Sequence, residues 1–405
     1  MLSAAALTPT VATLSPDRRH ALIAQARTAV LHGGPQTGTE VAPWITRSWQ
    51  RCLAQGMQPA RRVVFEQVSA AAQNRSRDQS HRLVTAARPV LEQLARAIGG
   101  MRYFALLTDA HGVVVDVLGT LDRQDPRATA IGRIGVDLSE AAVGTTAIGA
   151  ALAELQPVWL HRGEHFFDDN SSYSCAGAPL FDPQGHCMGM LDLTGIDVPE
   201  RPELSHLVAH SARAVEDALL LATPHVLLLR LNWPGCMLGS DADGLMLLDA
   251  EGHIVGCNTA ARQLIPQPLH ASAQRHCSEL LACPWPQLFD AAARQHTAPL
   301  DLPLWSGLRL HGMARKGSWS SSKAVFREVP HGFGRAESDA TTSSVRQSPG
   351  LPTYPTTAPL RAAEAAMIRK AVTDAKGNVA EAARALGISR ATVYRKLGAA
   401  KRKID

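Results

Sequence analysis

The stretch Gly377-Asn378-Val379-Ala380-Glu381-Ala382-Ala383-Arg384-Ala385-Leu386-Gly387-Ile388-Ser389-Arg390-Ala391-Thr392-Val393-Tyr394-Arg395-Lys396-Leu397 decides the reading of this chain. Asn378 is placed to cap a helix whose apolar positions Val379, Ala382, Ala383 and Leu386 recur at helical spacing. Gly387 tolerates the positive φ that a tight turn demands. Ile388 plugs the corner, and Ser389 is a natural cap for the next helix. Val393 and Leu397 face back into a small core, and the small Ala383 lets two helices cross closely. The pattern predicts a helix-turn-helix. A helix lying in the major groove reads base edges with its first turn and holds phosphates with its flanks. The candidate DNA-binding residues are therefore Ser389, Arg390, Ala391, Thr392, Tyr394, Arg395 and Lys396. A generic basic helical hairpin is the plain alternative.

Charge points the same way. From Arg361 to Asp405 there are eleven basic and four acidic side chains, a net +7. The whole chain carries +5, so the remainder carries −2. A basic module on a near-neutral body is the electrostatic footprint expected for nucleic acid. A basic amphipathic helix can instead lie on a membrane surface, but these apolar positions are mostly Ala and Val and offer no aromatic anchor for lipid.

With 405 residues there is chain for two to four domains. The most apolar stretch, Ala218 to Trp233, contains Pro224, His225, Arg230 and Asn232 and does not read as a membrane span. The N-terminus lacks a basic flank and is broken by Pro9, so no secretory signal is expected. The seven cysteines include no Cys-x-x-Cys pair, which suits reduced thiols in a cytoplasmic protein.

Composition and periodicity divide the chain into five parts. Residues 1–100 read as an N-terminal helical region with a turn at Gly33-Gly34-Pro35. Within it Trp44 and Trp49 are expected to pack rather than to touch a ligand. Residues 101–222 read as an α+β sensory unit. Its strands are expected at Tyr103–Asp109 and from Val113 to Leu118, then from Pro157 to Leu160, Gly177 to Phe181 and Cys187 to Leu193, with helices near Thr145 to Leu155 and at Leu204 to Leu221. Residues 225–315 repeat the style in a smaller α+β unit, with a hairpin across Ala250-Glu251-Gly252 and a short helix from Thr259 to Leu264. Residues 316–359 are rich in Ser, Thr, Pro and Gly and read as a disordered, flexible linker, with a strand marked at Lys323 to Val329. Residues 360–405 form the all-α tail.

The tail, through Gly377-Asn378, Ala382-Ala383, Leu386-Gly387-Ile388 and Arg390 to Leu397, resembles the Fis-type DNA-binding domain that ends bacterial enhancer-binding proteins. That resemblance covers roughly residues 360–400 and implies a helix from Ala362 to Asp374 that pairs with its mate in a homodimer. Val393 stands where the family more often has Leu. Further motifs are Ser48-Trp49-Gln50-Arg51-Cys52, Ile134 to Glu140, Gly144 to Gly149, Glu164-His165-Phe166, Ser174 to Leu180 and Gly189 to Gly195. Together, over roughly residues 30–222, they resemble the GAF-containing N-terminal half of acetoin-catabolism-type activators. Residues 249–264 resemble, more briefly, a PAS core.

The GAF resemblance implies a sensor that binds a small effector. Trp159, Glu164, His165, Phe167 and Cys175 are the candidate effector-binding residues, an apolar wall with a few polar anchors. Satisfied structural groups are one alternative. A metal held by His161, His165 and Cys175 is another, although Gly163 and the preceding strand speak against the helix that would align two imidazoles. No cofactor is expected.

The resemblance breaks at one point. Enhancer-binding activators place an ATPase between sensor and DNA-binding domain, and it needs a Gly-x-x-x-x-Gly-Lys-Ser/Thr loop. The seven lysines of this chain stand at 316, 323, 370, 376, 396, 401 and 403, and none follows a glycine. The expectation is a dimeric transcriptional regulator that binds double-stranded DNA and answers to a small molecule. It would lack its own ATPase and so would not be an autonomous sigma-54 activator. RNA polymerase or an ATPase-bearing relative are further candidate partners. An architectural DNA-binding protein with a vestigial sensor is the alternative, and a thiol reductase using Cys175 with Cys187 a more distant one.

Overall fold

The computed structural model describes residues 16–32, 41–265, 275–295 and 297–317. The turn at Gly33-Gly34-Pro35, the strand expected at Lys323 to Val329, the linker past Gly317 and the whole C-terminal tail lie outside the described residues. Over the described residues the chain is mixed α+β, with two five-stranded antiparallel sheets.

Three helices come first: α1 (Pro16–Leu31), α2 (Pro43–Ala54) and α3 (Ala70–Ile98). In α2, proline occupies the first turn, where its missing N–H costs nothing. Trp44, Ile45, Trp49 and Cys52 form its buried stripe, so both tryptophans pack. In α3, Ser69 caps the N-terminus through Ala72 N, and Leu83, Ala87, Leu91, Leu94 and Ile98 line one face at spacings of three and four. Between α2 and α3 the chain leaves the helix and runs extended enough for Gln67 to bridge Val136.

The first sheet comprises β1 (Tyr103–Asp109), β2 (Val114–Gly119), β3 (Val158–His161), β4 (Tyr173–Phe181) and β5 (Cys187–Ile196), in the order β2-β1-β5-β4-β3. Helices α4 (Pro126–Ile131), α5 (Glu140–Val143) and α6 (Ala147–Glu154) lie between β2 and β3 in sequence, and α7 (Leu204–Leu221) follows β5. Both faces of the sheet are buried. Alternation sends Phe104, Leu106, Val158, Leu160, Tyr173, Cys175 and Met190 towards the core that includes α2 and α6. Tyr103, Ala105, Leu107, Ala176, Ala178, Leu180, Leu191 and Leu193 go to the opposite core, closed by α3 and α7.

The second sheet comprises β6 (Leu227–Asn232), β7 (Gly244–Leu248), β8 (Ile254–Cys257), β9 (Leu300–Pro303) and β10 (Arg309–Lys316), in the order β8-β7-β6-β10-β9. Helices α8 (Thr259–Leu264) and α9 (Pro286–Ala293) lie between β8 and β9. Three hairpins across the two sheets use one device. Asp109, Asp182 and Asp249 each accept two backbone N–H groups from the following turn, and Gly112, Gly185 and Gly252 take φ of +85°, +93° and +90°. A short carboxylate that folds back on its own turn and a residue free to adopt positive φ are what such loops require.

The parts built on the two sheets meet at Asn258. Its Oδ1 accepts from Leu245 N (2.9 Å) and Ala261 N (2.8 Å), and its Nδ2 donates to Asp217 Oδ1 on α7 (2.9 Å). Beside it Thr259 Oγ1 donates to Glu216 Oε2 (2.7 Å), and the Arg262 guanidinium donates to Pro183 O (2.8 Å). Among the described residues no helix is long and apolar enough to cross a membrane.

Candidate functional site

Between the first sheet and α6 lies a small cavity of about 30 Å³. Its apolar wall includes Phe65, Leu106, Ile131, Leu138, Ile148 and Tyr173. Its polar groups are Thr146, His165, Asn170, Cys175, Asp192 and Thr194. Strand register explains the assembly. Asp192 on β5 is paired with Leu106 on β1 and with Gly177 on β4, and Thr194 is paired with Cys175. All five positions fall on the face turned towards α6. Gly177 makes the closeness of that helix possible, since a Cβ there would sit 3.2 Å from the Ala147 backbone oxygen and 2.4 Å from Met190 Cε.

The roof is fixed by α2 and α5. Arg51 binds Glu140 through two nitrogens, at 2.6 Å and 2.9 Å, and Glu154 through the third, at 2.8 Å. Ser48 Oγ donates to Glu140 Oε2 (2.5 Å) and lies 2.8 Å from the Thr145 hydroxyl. Planar two-point pairing of guanidinium with carboxylate holds geometry as well as charge. The Ser48-Trp49-Gln50-Arg51-Cys52 motif is thus the clamp that seats α2 on α5 and on both ends of α6. Gly149 lets α5 and α6 touch, because a Cβ there would lie 2.7 Å from Glu140 N.

Of the five residues singled out from sequence, His165 and Cys175 line the cavity. His165 is buried, and burial pushes its imidazole down to about 4. Its Nδ1 lies 2.9 Å from Arg162 O, so Nδ1 carries the proton and Nε2 is an acceptor, 3.8 Å from Cys175 Sγ. Burial raises the Cys175 thiol well above the ordinary range.

The other three stand elsewhere. Trp159 alternates onto the far face of the sheet, against the core of α3 and α7. There the Arg19 guanidinium sits 4.6 Å from its ring centroid and the His161 ring stacks on it at 6.0 Å. Glu164 is buried and held in place, its carboxylate paired with Arg19 and accepting from His161 N (2.6 Å), while its backbone oxygen accepts from Trp49 Nε1 (2.9 Å). Phe167 packs edge-on against Phe166 in the core, 5.2 Å between ring centroids.

His161 ends a strand and His165 follows a single 3₁₀ turn at Arg162–Glu164, so the two imidazoles do not share a helix face. Among the described residues no group of three or more His, Cys, Asp or Glu side chains is placed to hold a metal ion. The thiol pair fares no better. Cys187 is opposite Phe181, six residues along β4 from Cys175, which is roughly 20 Å of strand.

Sequence reading missed Asp192, Thr194 and Asn170. Asp192 is fully buried, its Oδ2 accepts from the Thr194 hydroxyl, and burial pushes the carboxyl up to about 7. A signal existed: Met188, Met190 and Ile196, which alternate with Asp192 along β5, are apolar, so an acidic side chain in that row points at a core face. Asn170 left no such trace, because it lies in a 3₁₀ turn at Asp168–Ser172 whose inward side only the fold defines.

Residues 21–217 match the family model described as MimR, N-terminal domain, and residues 359–399 match that of bacterial regulatory protein, Fis family. The acetoin catabolism regulatory protein of Cupriavidus necator is 32% identical over 231 residues, covering 55% of this chain and 34% of that protein. The acetoin dehydrogenase operon transcriptional activator AcoR of Bacillus subtilis is 28% identical over 227 residues, covering 55% and 36%. The chain thus spans about a third of the length of these curated relatives. A chain of the E. coli DhaR(N)–DhaL complex aligns with a TM-score of 0.42 and 17% identity, over 68% of this chain and 99% of that one.

Proposed function

We propose that this chain, which joins a MimR-type N-terminal domain to a Fis-family segment in the manner of the acetoin-catabolism-type regulators, is a cytoplasmic transcriptional regulator whose DNA binding responds to a small molecule held in its GAF-type unit. The observation that carries the reading is the cavity beneath α6, lined by apolar side chains and furnished with a few buried polar groups, inside the segment that matches the MimR N-terminal domain. The C-terminal Arg390 and Arg395, with Ser389, Ala391, Thr392, Tyr394 and Lys396, supply the DNA contact, and a dimer presents two such segments to a palindromic site. The smaller unit at residues 225–315 is of PAS type and is coupled to α7 through Asn258 and Thr259.

With no phosphate-cradling lysine loop between sensor and tail, output runs through operator occupancy, polymerase contact or partnership with an ATPase-bearing relative rather than through ATP hydrolysis by these residues. The effector shifts that output only by binding two arrangements of the dimer unequally. The test is a map of genomic occupancy at physiological salt, made with the native chain and with an Ile148→Phe variant that fills the cavity. A few palindromic sites, whose occupancy responds to growth substrate in the native chain and not in the variant, is the expected result. A diffuse map without a motif would overturn the reading in favour of an architectural DNA-binding protein.

A further inference from the structure

A second hollow opens on the same face of the first sheet, at the end where β1 begins and β2 and β5 finish. It is a cleft of about 540 Å³ and shares no lining residue with the cavity beneath α6. Its size falls within the roughly 300–1,000 Å³ typical of ligand pockets. Register explains the floor. Phe104 and Ile196 lie one alternation beyond Leu106 and Thr194 along β1 and β5, and Leu121 and Ala128 close the side towards α4. The rim is charged. Asp125 caps α4 and is held by Arg127 (2.8 Å), which leaves Arg102 and Arg123 against Asp122, a surplus of one positive charge. Neither of these two guanidiniums has an ion-pair or hydrogen-bond partner among the described residues, whereas Asp122 Oδ1 accepts from Gln124 N (2.9 Å). Arg102 also holds its place at a cost. Its φ is +58°, in the left-handed region that glycine enters freely and that a residue with a Cβ resists. Strain kept at a residue lining a pocket points to a use for its side chain.

We propose that this cleft binds a monovalent organic anion, a carboxylate on a short apolar chain, whose charge is taken by Arg102 and Arg123 and whose body lies on Phe104, Leu121, Ala128 and Ile196. The site is separate from the effector cavity and does not depend on it. A guanidinium meets a carboxylate through two parallel hydrogen bonds, and one negative charge matches the surplus on the rim. A dianion such as a phosphate ester would exceed that surplus. It would also lie beside Asp122 and near the C-terminal end of α3, at Gly99 and Gly100, where the helix dipole disfavours negative charge. A cation would face two guanidiniums, and a neutral apolar molecule would desolvate them without compensation. Arg102 stands between α3 and β1 and Arg123 between β2 and α4, so an anion held by both ties the end of α3 to the loop after β2.

The experiment is isothermal titration of the full chain with hexanoate, hexanamide, acetate and hexyl phosphate at low ionic strength. Hexanoate is expected to bind the native chain roughly tenfold or more tighter than hexanamide, the scale of a charge-assisted hydrogen bond, and tighter than acetate, which lacks the apolar body. Arg102→Gly and Arg123→Gln should each weaken hexanoate binding by roughly tenfold. Arg102→Gly should also raise the thermal midpoint by roughly 2–4 °C as the left-handed backbone is relieved, so that its lost binding is not lost fold. An Ile148→Phe variant, with the cavity beneath α6 filled, should bind hexanoate as the native chain does. No hexanoate binding, equal binding of hexanoate and hexanamide, or a hexanoate affinity unmoved by both arginine variants overturns the proposal. Tighter binding of hexyl phosphate overturns the carboxylate assignment. Loss of hexanoate binding in Ile148→Phe places the probe in the cavity and overturns the cleft as its site.

Discussion

Replacing Asp192 by Asn should change how the stability of this protein depends on pH. In the folded chain the Asp192 carboxyl is fully buried and its pKa lies at about 7; in the unfolded chain it returns to its ordinary 3.8. Between those values the folded state holds a proton that the unfolded state has released. Stability from this group is therefore fully present below the unfolded value, falls as pH rises, and is lost once pH passes the folded value. The shift of about three pKa units corresponds to ~4 kcal/mol across the window, at about 1.4 kcal/mol per unit. Asn keeps the shape and can still accept from Thr194, but it does not titrate. The assay is urea unfolding followed by tryptophan fluorescence, for both proteins, at several values from about pH 4 to about pH 8. Glu216, pushed up to about 7 by burial beside Thr259, titrates over a similar range in both proteins and cancels in the difference. The native chain should lose stability relative to Asp192→Asn as pH rises, by up to ~4 kcal/mol. Parallel curves for the two proteins would refute the assignment of Asp192 as a buried carboxyl that folding keeps protonated.

Other consequences can be checked separately. Gly189→Ala places a Cβ 2.1 Å from the Thr108 backbone oxygen, within the β1–β5 pairing, and should destabilise by about 1–3 kcal/mol in the same unfolding assay. Arg51→Met removes one partner each from Glu140, which keeps Ser48, and Glu154, which keeps Arg47, and a lowered thermal midpoint with weakened effector response is expected, read by calorimetry and by DNA occupancy. Of the cysteines, the exposed Cys236 should react with a thiol reagent in the native state well before the buried Cys175, as mass spectrometry of the labelled peptides would show. An Arg390→Ala, Arg395→Ala double variant should weaken DNA binding, and if a base contact is lost with either arginine, discrimination at that base pair should fall by roughly 1–3 kcal/mol, measured by fluorescence anisotropy against matched and mismatched duplexes.

Local chemistry makes much of this molecule legible in its amino-acid sequence. Alternating and continuous apolar runs mark β1, β7 and both members of the β4–β5 hairpin, because a strand buried on its faces must be apolar at short period. The Asp-x-x-Gly turns are legible for the same reason: the carboxylate and the glycine act on their own backbone. Helix α7 is bounded at Leu204 and Leu221 by its apolar periodicity alone. The Fis-type tail, too, is read entirely from residues a few positions apart.

The fold alone decided matters that join distant parts of the chain. Leu227–Asn232 becomes the central strand of the second sheet because β7 and β10 close on it from either side, a pairing across more than eighty residues on the β10 side that no local pattern encodes. Trp159 leaves the site and Asp192 enters it for one reason. Side-chain direction alternates along a strand, and only the register of β3, β4 and β5 says which face turns towards α6. Which segments bury their side chains, and where the hairpins turn, follow from each residue and its neighbours and so are readable along the chain. Which polar groups share a cavity was settled by tertiary structure, because it depends on strand register and helix placement and on how far burial shifts each group's proton.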